Sequence, residues 1–219
     1  MSPLALVLLG LVLGLRHAMD PDHVVAVAAI TARTRRVLAA TWLGVVWGMG
    51  HTLTLFAVGA AIILFKLVIP ARLGLGFELC VAGALVVVGI INLGRPPALA
   101  GIGAAPGSPL PALRAFVVGL VHGLAGSAAV ALLVLAAVRD PLWACGYLVV
   151  FGLGTLLGMA LITTGIASPL ALAGRRWSAA PRRIRVATGL LSLAFGAWLI
   201  VQIGWHDGLF LAVPHWEPH

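Results

Sequence analysis

PLALVLLGLVLGLRHAMDPDHVVAVAAITA, residues 3–32, is an apolar run interrupted once, by Arg16, His17, Asp20, Asp22 and His23. As one straight helix it would be about 45 Å long, more than the roughly 30 Å of a bilayer's hydrocarbon core. Pro21 lacks an N–H, so the carbonyl of His17, four residues back, loses its helical partner. Excess length and proline both predict a first helix broken near Pro21. Leucine and glycine fill the run without the period-two alternation of a membrane barrel strand, so the spanning element is helical.

The rest of the chain repeats this character. Of 219 residues, 62% are hydrophobic and 9% charged, against about 45–50% and about 25% in soluble domains. Such a core closes only against lipid. Six apolar runs follow one another, 3–32, 38–65, 73–93, 112–138, 141–168 and 184–203, each long enough to span. The segment 94–111, with Pro96, Pro97, Pro106, Pro109 and Pro111, reads as a connecting loop, and 169–183 as a second loop carrying arginines. The fold expected is an all-α polytopic membrane protein, one transporter domain over 1–219. Residues 1–93 and 112–203 are its three-helix halves, and 204–219 is a solvated external tail whose Trp205 and Trp216 form an interfacial belt. No positive segment precedes residues 3–15, so they read as the start of the first span rather than a signal peptide. Cys80 and Cys145 stand apart in apolar runs and read as packing residues, not a redox or metal pair.

The net charge of +8 reflects topology, not nucleic-acid binding. Arg33, Arg35, Arg36, Arg95, Arg114, Arg175, Arg176, Arg182, Arg183 and Arg185 fall on one side, and Lys66, Arg72 and Arg139 on the other. The richer side is cytoplasmic, which places both termini outside a cell inner membrane crossed several times. The chain also repeats itself. Gly14-Leu15-Arg16-His17 matches Gly119-Leu120-Val121-His122, and Gly48-Met49-Gly50-His51 matches Gly152-Leu153-Gly154-Thr155, at offsets of 105 and 104. Three helices per half is an odd number, so the halves enter from opposite sides. Six helices as two inverted repeats are a transporter architecture with its site near the midplane.

Ionisable residues inside a span mark function. Two imidazoles and two carboxylates among residues 16–23 suit a borderline or hard divalent ion, and the lack of thiolates argues against copper(I) or mercury. On a straight helix, at about 100° per residue, His17, Asp20 and His23 share a face and Asp22 points away. Unwinding at Pro21 brings Asp22 round, and Arg16 pairs with Asp20 one turn on, leaving Asp22 free. His51, mid-span behind Gly48 and Gly50, reads as a third imidazole ligand. His122 occupies the repeat position of His17, and Ser127 that of Asp22. Glu78 reads as an interfacial charge, and His206, Asp207, His215, Glu217 and His219 as tail residues.

Together these motifs resemble the nickel/cobalt transporter superfamily, NiCoT or NicO. Its hallmark His-x4-Asp-His is matched by His17, Asp22 and His23, and its Gly-His-Ser/Thr motif by Gly50, His51 and Thr52. The segment Gly119-Leu120-Val121-His122-Gly123-Leu124-Ala125-Gly126-Ser127 is most similar to the six-span, urease-accessory-type branch. The resemblance implies a metal permease that needs His17, Asp22, His23 and His51, linked to a nickel enzyme such as urease. The chain departs from larger members in three ways. It lacks their helix before the motif, it has Ala125, Ser127 and Ala128 where they carry acidic residues, and it has Pro21 where alanine is common.

The expected function is uptake of nickel(II), or cobalt(II), by alternating access. The metal site comprises His17, Asp22, His23 and His51, with His122 completing it and Asp20 a further candidate. No prosthetic group and no catalytic residue is expected, and a homo-oligomer is compatible with the pattern. The short, histidine-free loops favour uptake over an efflux permease of the same fold. An intramembrane hydrolase using Ser127 with His122 or His51 is the rival from another class, and no His-Glu-x-x-His supports it. Ser127→Ala is expected to leave metal transport largely intact, as measured by cellular metal content. Because ligand imidazoles bind when neutral, metal binding is expected to weaken as pH falls below about 6–7, read by titration at stepped pH.

Overall fold

The computed structural model describes residues 3–32, 34, 36–66, 69–94, 109–123, 140–176 and 180–216. Among them the chain is all helix, with no strand. In order come α1 (Pro3–His17), α2 (Pro21–Thr31), α3 (Val37–Phe65), α4 (Ala71–Leu93), α5 (Leu110–His122), α6 (Pro141–Arg176) and α7 (Ala180–Val201), the last running into a π-turn, Gln202–His206. Helices α3, α4, α6 and α7 are long and apolar enough to cross a membrane, and α1 with α2, bent by 57°, reach that length and apolarity only as a pair, the geometry of a broken span or a re-entrant loop. The exposed faces of these helices carry leucines, valines and phenylalanines, which water would not tolerate at such density; this is a membrane protein. The run expected over 112–138 is described only as far as Gly123. Its remainder, with Ser127, lies outside the described residues, as does most of the 94–111 loop.

The break falls where Pro21 puts it. Asp20 takes the extended backbone that a residue before proline adopts (φ −58°, ψ 141°) and stands as N-cap of α2, with Pro21 in the first turn. The His17 carbonyl is not left bare, since the Asp20 N–H donates to it at 3.1 Å, and the Met19 N–H donates to the Arg16 carbonyl at 2.9 Å. The chain thus tightens into a turn before restarting as a helix.

Glycines set how the helices meet. Helix α1 lies along α6 in the same direction, and a Cβ on Gly14 would run into the Phe151 carbonyl oxygen. Helix α5 lies along α3 in the same way, with Gly119 against the Trp47 carbonyl. Gly50 faces the Phe116 carbonyl, and Gly154 faces that of Leu11, where a Cβ would sit 2.6 Å away. Small residues at these crossings let backbones touch, the usual means of joining helices in lipid. Helices α3 and α6 run antiparallel, as do α4 and α7, and α2 turns away from the α1 line to pack on α7 and α4. Buried Asn92 fastens that corner, donating to the Ala29 carbonyl at 2.6 Å, while Arg185 donates to the Asn92 carbonyl at 2.6 Å.

Two expectations are corrected here. The 169–183 loop is helical as far as Arg176, with Pro169 inside α6. The helix continues through it although the Gly165 carbonyl, four residues back, loses its N–H partner, as membrane helices tolerate. The tail is not free in solvent as far as Trp216. It folds back from the π-turn through Gly208, whose φ is +77°, and the His215 N–H donates to the Asp207 carbonyl at 2.8 Å. Trp216 packs over Gly74 with Leu75, Ala82 and Ile203, and its indole N–H donates to Glu78 at 2.9 Å. Glu78 therefore anchors the tail.

Because a Cβ at Gly119 strikes backbone, Gly119→Ala is expected to cost on the order of 1–3 kcal/mol. Gly83→Ala, which meets nothing within 4 Å, is expected to stay within about 0.5 kcal/mol of the parent. Thermal melting of the two purified variants in detergent checks the contrast.

Candidate metal centre

His17 is the last residue of α1, His23 lies in the first turn of α2, and His51 is mid-α3. His122 closes α5. The break between α1 and α2 is what turns the first two toward each other. Their ring centres are 4.6 Å apart, and each lies 4.9 Å from the ring of His51. His23 and His122 are sealed from solvent, and His17 and His51 nearly so, at 5% and 1% exposed.

Hydrogen bonds fix how each ring is presented. His17 Nδ1 meets Asp20 Oδ2 at 2.8 Å, and His23 Nδ1 meets Asp22 Oδ1 at 2.8 Å. A carboxylate only accepts, so each ring donates its Nδ1–H and, when neutral, keeps its lone pair on Nε2. His122 does the same against its own helix, donating Nδ1–H to the Val118 carbonyl at 3.0 Å. Such outer partners fix tautomer and ring orientation at metal sites. His17 Nε2 lies 2.9 Å from His51 Nε2. Buried and without a hydrogen-bond partner among the described residues are His23 Nε2, His51 Nδ1 and His122 Nε2.

Two groups are compact enough for one ion, with ligand atoms within 4.8 Å of one another: His17, His23 and His51, all buried, and Asp20, Asp22 and His23. His122 joins neither group, its ring centre being 6.0 Å from that of His23. The carboxylates form the open edge, the Asp20 side chain 32% exposed and that of Asp22 14%. Arg16 does not pair with Asp20. It is exposed and makes no ion pair among the described residues, because Asp20 is turned toward His17. Asp22 is not free either, since one oxygen holds His23. Thr52 points away from the cluster, to Gly152 of α6. His206 and His215 belong to no metal-sized group among the described residues, and Glu217 and His219 lie outside them.

Sequence reasoning missed Trp47. This fully buried indole stacks on His51 at 5.3 Å and 12°, and packs edgewise against His23 at 5.0 Å and His122 at 5.3 Å. The available signal was its place one turn before His51 on a helix whose histidine had been singled out. Phe151, one turn before Thr155 and at the repeat position of Trp47, packs on His17 at 5.4 Å. Above the cluster lie Leu6, Leu55, Tyr147 and Leu148, and below it Val27, Leu43, Ala115 and Met159. The arrangement is a set of imidazole lone pairs and two carboxylates enclosed by apolar walls, chemistry suited to binding a cation.

The chain is 34% identical over 218 residues to the urease accessory protein UreH of Bacillus sp. (strain TB-90), an alignment covering 94% of this chain and 95% of that protein. No protein-family model and no solved structure matches it. Identity at this level along nearly the whole chain agrees with the signatures at His17, Asp22, His23 and His51: the chain belongs to the UreH-like, urease-accessory-type branch of the nickel/cobalt transporter superfamily.

Proposed function

We propose that this protein carries nickel(II), and cobalt(II) by the same chemistry, inward across the cell inner membrane. It is a carrier and not an enzyme, and the ion is its substrate. The observation that carries the reading is the group of three buried imidazoles, His17, His23 and His51, whose ligand atoms lie within 4.8 Å of one another. One of them, His23, keeps an Nε2 with no hydrogen-bond partner among the described residues, at a cost on the order of 1–3 kcal/mol that a packing role does not explain and a bound ion offsets. His17, His23 and His51 are the proposed imidazole ligands. Asp22 contributes the oxygen not engaged by His23, and Asp20 holds His17 at the open edge. His122 completes the site when the helices shift, its bare Nε2 lying behind His23.

His17 Nε2 and His51 Nε2, 2.9 Å apart, share a hydrogen bond, which a bound ion would replace with two metal–nitrogen bonds. Imidazole and carboxylate donors suit nickel(II) and cobalt(II) alike. The name of the relative, a urease accessory protein, supports delivery of nickel toward a urease.

For the architecture we favour six spans as two inverted repeats, 1–93 and 112–203, with both termini outside. The crossings support this: Gly14 on Phe151 and Gly119 on Trp47 are related by offsets of 105 and 104, as are Gly154 on Leu11 and Gly50 on Phe116. Alternating access then consists of one half rocking on the other, opening the apolar layer on one face of the cluster and then that on the other.

Cells producing the chain are expected to accumulate radioactive nickel(II), and His17→Ala to abolish that accumulation. Asp22→Asn, which weakens both a ligand and the orientation of His23, is expected to raise the half-saturating nickel concentration about 10–100-fold. Uptake that survives alanine at His17, His23 and His51 alike sinks the reading. Lower nickel in producing cells than in controls reverses the direction and keeps the site.

A further inference from the structure

Trp47 has the one orphaned polar atom in the cluster that a metal ion cannot satisfy. Its indole nitrogen is buried and has no hydrogen-bond partner among the described residues. It sits on the rim of a ring whose centre lies 5.0–5.3 Å from three of the four imidazoles. The unpaired atoms here are of two kinds. The imidazole nitrogens of His23 and His122 are acceptors once their Nδ1–H groups are tied to Asp22 and Val118, and a cation meets that need. An indole N–H is a donor only, and a cation repels it. A water molecule can bridge both kinds, and a cation that brings such a water with it meets the imidazole lone pairs directly and the indole through the water's oxygen.

Resting on the metal-site reading above, we infer that Trp47 is a positioning and specificity-determining residue, whose indole face holds the His51 ring and whose N–H donates to a water molecule the ion retains. The chemistry then selects among metals. An ion of higher coordination number that keeps part of its hydration shell, such as nickel(II), gains the indole's hydrogen bond. An ion satisfied by four protein ligands, as zinc(II) commonly is, brings no water and gains nothing. Trp47 thereby sets preference by recognising what the protein leaves on the metal. Phe151, which takes the repeat position of Trp47 and packs on His17, has no such donor, so the discrimination is confined to one wall of the cluster.

The test is equilibrium binding of nickel(II) and zinc(II) to the purified full-length chain in lipid nanodiscs, wild type against Trp47→Phe. Phenylalanine keeps an aromatic face toward His51 and removes the N–H. The expected result is nickel affinity about tenfold weaker, the worth of a hydrogen bond of about 1.4 kcal/mol, with zinc affinity within about twofold of wild type. Equal weakening of both metals overturns the inference by reducing Trp47 to packing. Unchanged affinity for both overturns it outright. A second measurement needs no variant: the ultraviolet resonance Raman band that reports indole N–H hydrogen bonding is expected to shift on nickel loading of the wild-type chain and not on zinc loading. A band that ignores nickel counts against the inference even if Trp47→Phe does not fold. Failure of wild type to bind either metal would instead fall on the site reading itself.

Discussion

Hydrocarbon offers no hydrogen-bond partners, so a polar atom buried in this bundle keeps only those the chain brings to it. Most of the chain obeys this by local economy. Buried Thr155 donates to the Phe151 carbonyl at 3.0 Å, Ser192 to that of Leu85 at 2.7 Å, and Thr31 to that of Val27 at 2.7 Å. Three of the four imidazoles, His23, His51 and His122, follow the same rule on one side of the ring and break it on the other, while His17 is bonded at both nitrogens. Nδ1 of His17, His23 and His122 is tied to a carboxylate or a carbonyl, while the nitrogens facing inward at His23 and His122 are left open. A cluster that is half satisfied in this ordered way is shaped for a guest, and the deficit is borne by the dense packing around it.

That packing comes from backbone touching backbone. Gly14, Gly50, Gly119 and Gly154 each sit where a Cβ would meet a carbonyl oxygen of the facing helix. The contacts bring α1 to α6 and α5 to α3, and so bring His17 and His122 to the two sides of His51 and Trp47. The break at Pro21 does the remaining work. A straight helix through residue 23 would hold Asp22 on the far side from its neighbours. The 57° bend carries α2 across to α4 and α7, and Asp22 and His23 then bond to one another at the corner. Proline, glycine and histidine act together, the first two by geometry and the third by chemistry.

This division explains how much was legible in the sequence. Pro21 announced the break because a missing N–H is a local fact, and the helical character of the runs followed from composition alone. His17, His23 and His51 were legible as a group because ionisable residues inside a span are costly. What could not be read was which atom partners which. Asp20 had two candidate partners within a turn, Arg16 and His17, and only the turn at 18–20 decides for His17. Pro169 and the arginines after it read as a loop because proline usually ends a helix, whereas a helix packed among others in lipid can run through one. Trp47 is one of many large apolar residues on α3 and carries no charge to draw attention. Its role appears once α5 has brought His122 against its other edge. The tail read as solvated because the partners that hold it, Glu78 and Gly74, lie far away in sequence.

The two halves share packing more closely than chemistry. At offsets of 104–105, Gly14 corresponds to Gly119, Gly50 to Gly154 and His17 to His122, yet His51 corresponds to Thr155, Trp47 to Phe151, His23 to Ala128 and Asp22 to Ser127. Where the constraint is close approach of backbones, both copies keep glycine, because either crossing would fail with a side chain in it. Where the constraint is ligation, one copy suffices, since a single ion needs one set of donors and a second set would add buried polar atoms with nothing to satisfy them. Thr155 shows the consequence: it turns its hydroxyl back on its own helix, where it has no deficit to offer. On the proposed reading the ion is held mainly by the first half, with His122 and an apolar wall coming from the second, and its release needs no second binding position, only a movement of that wall.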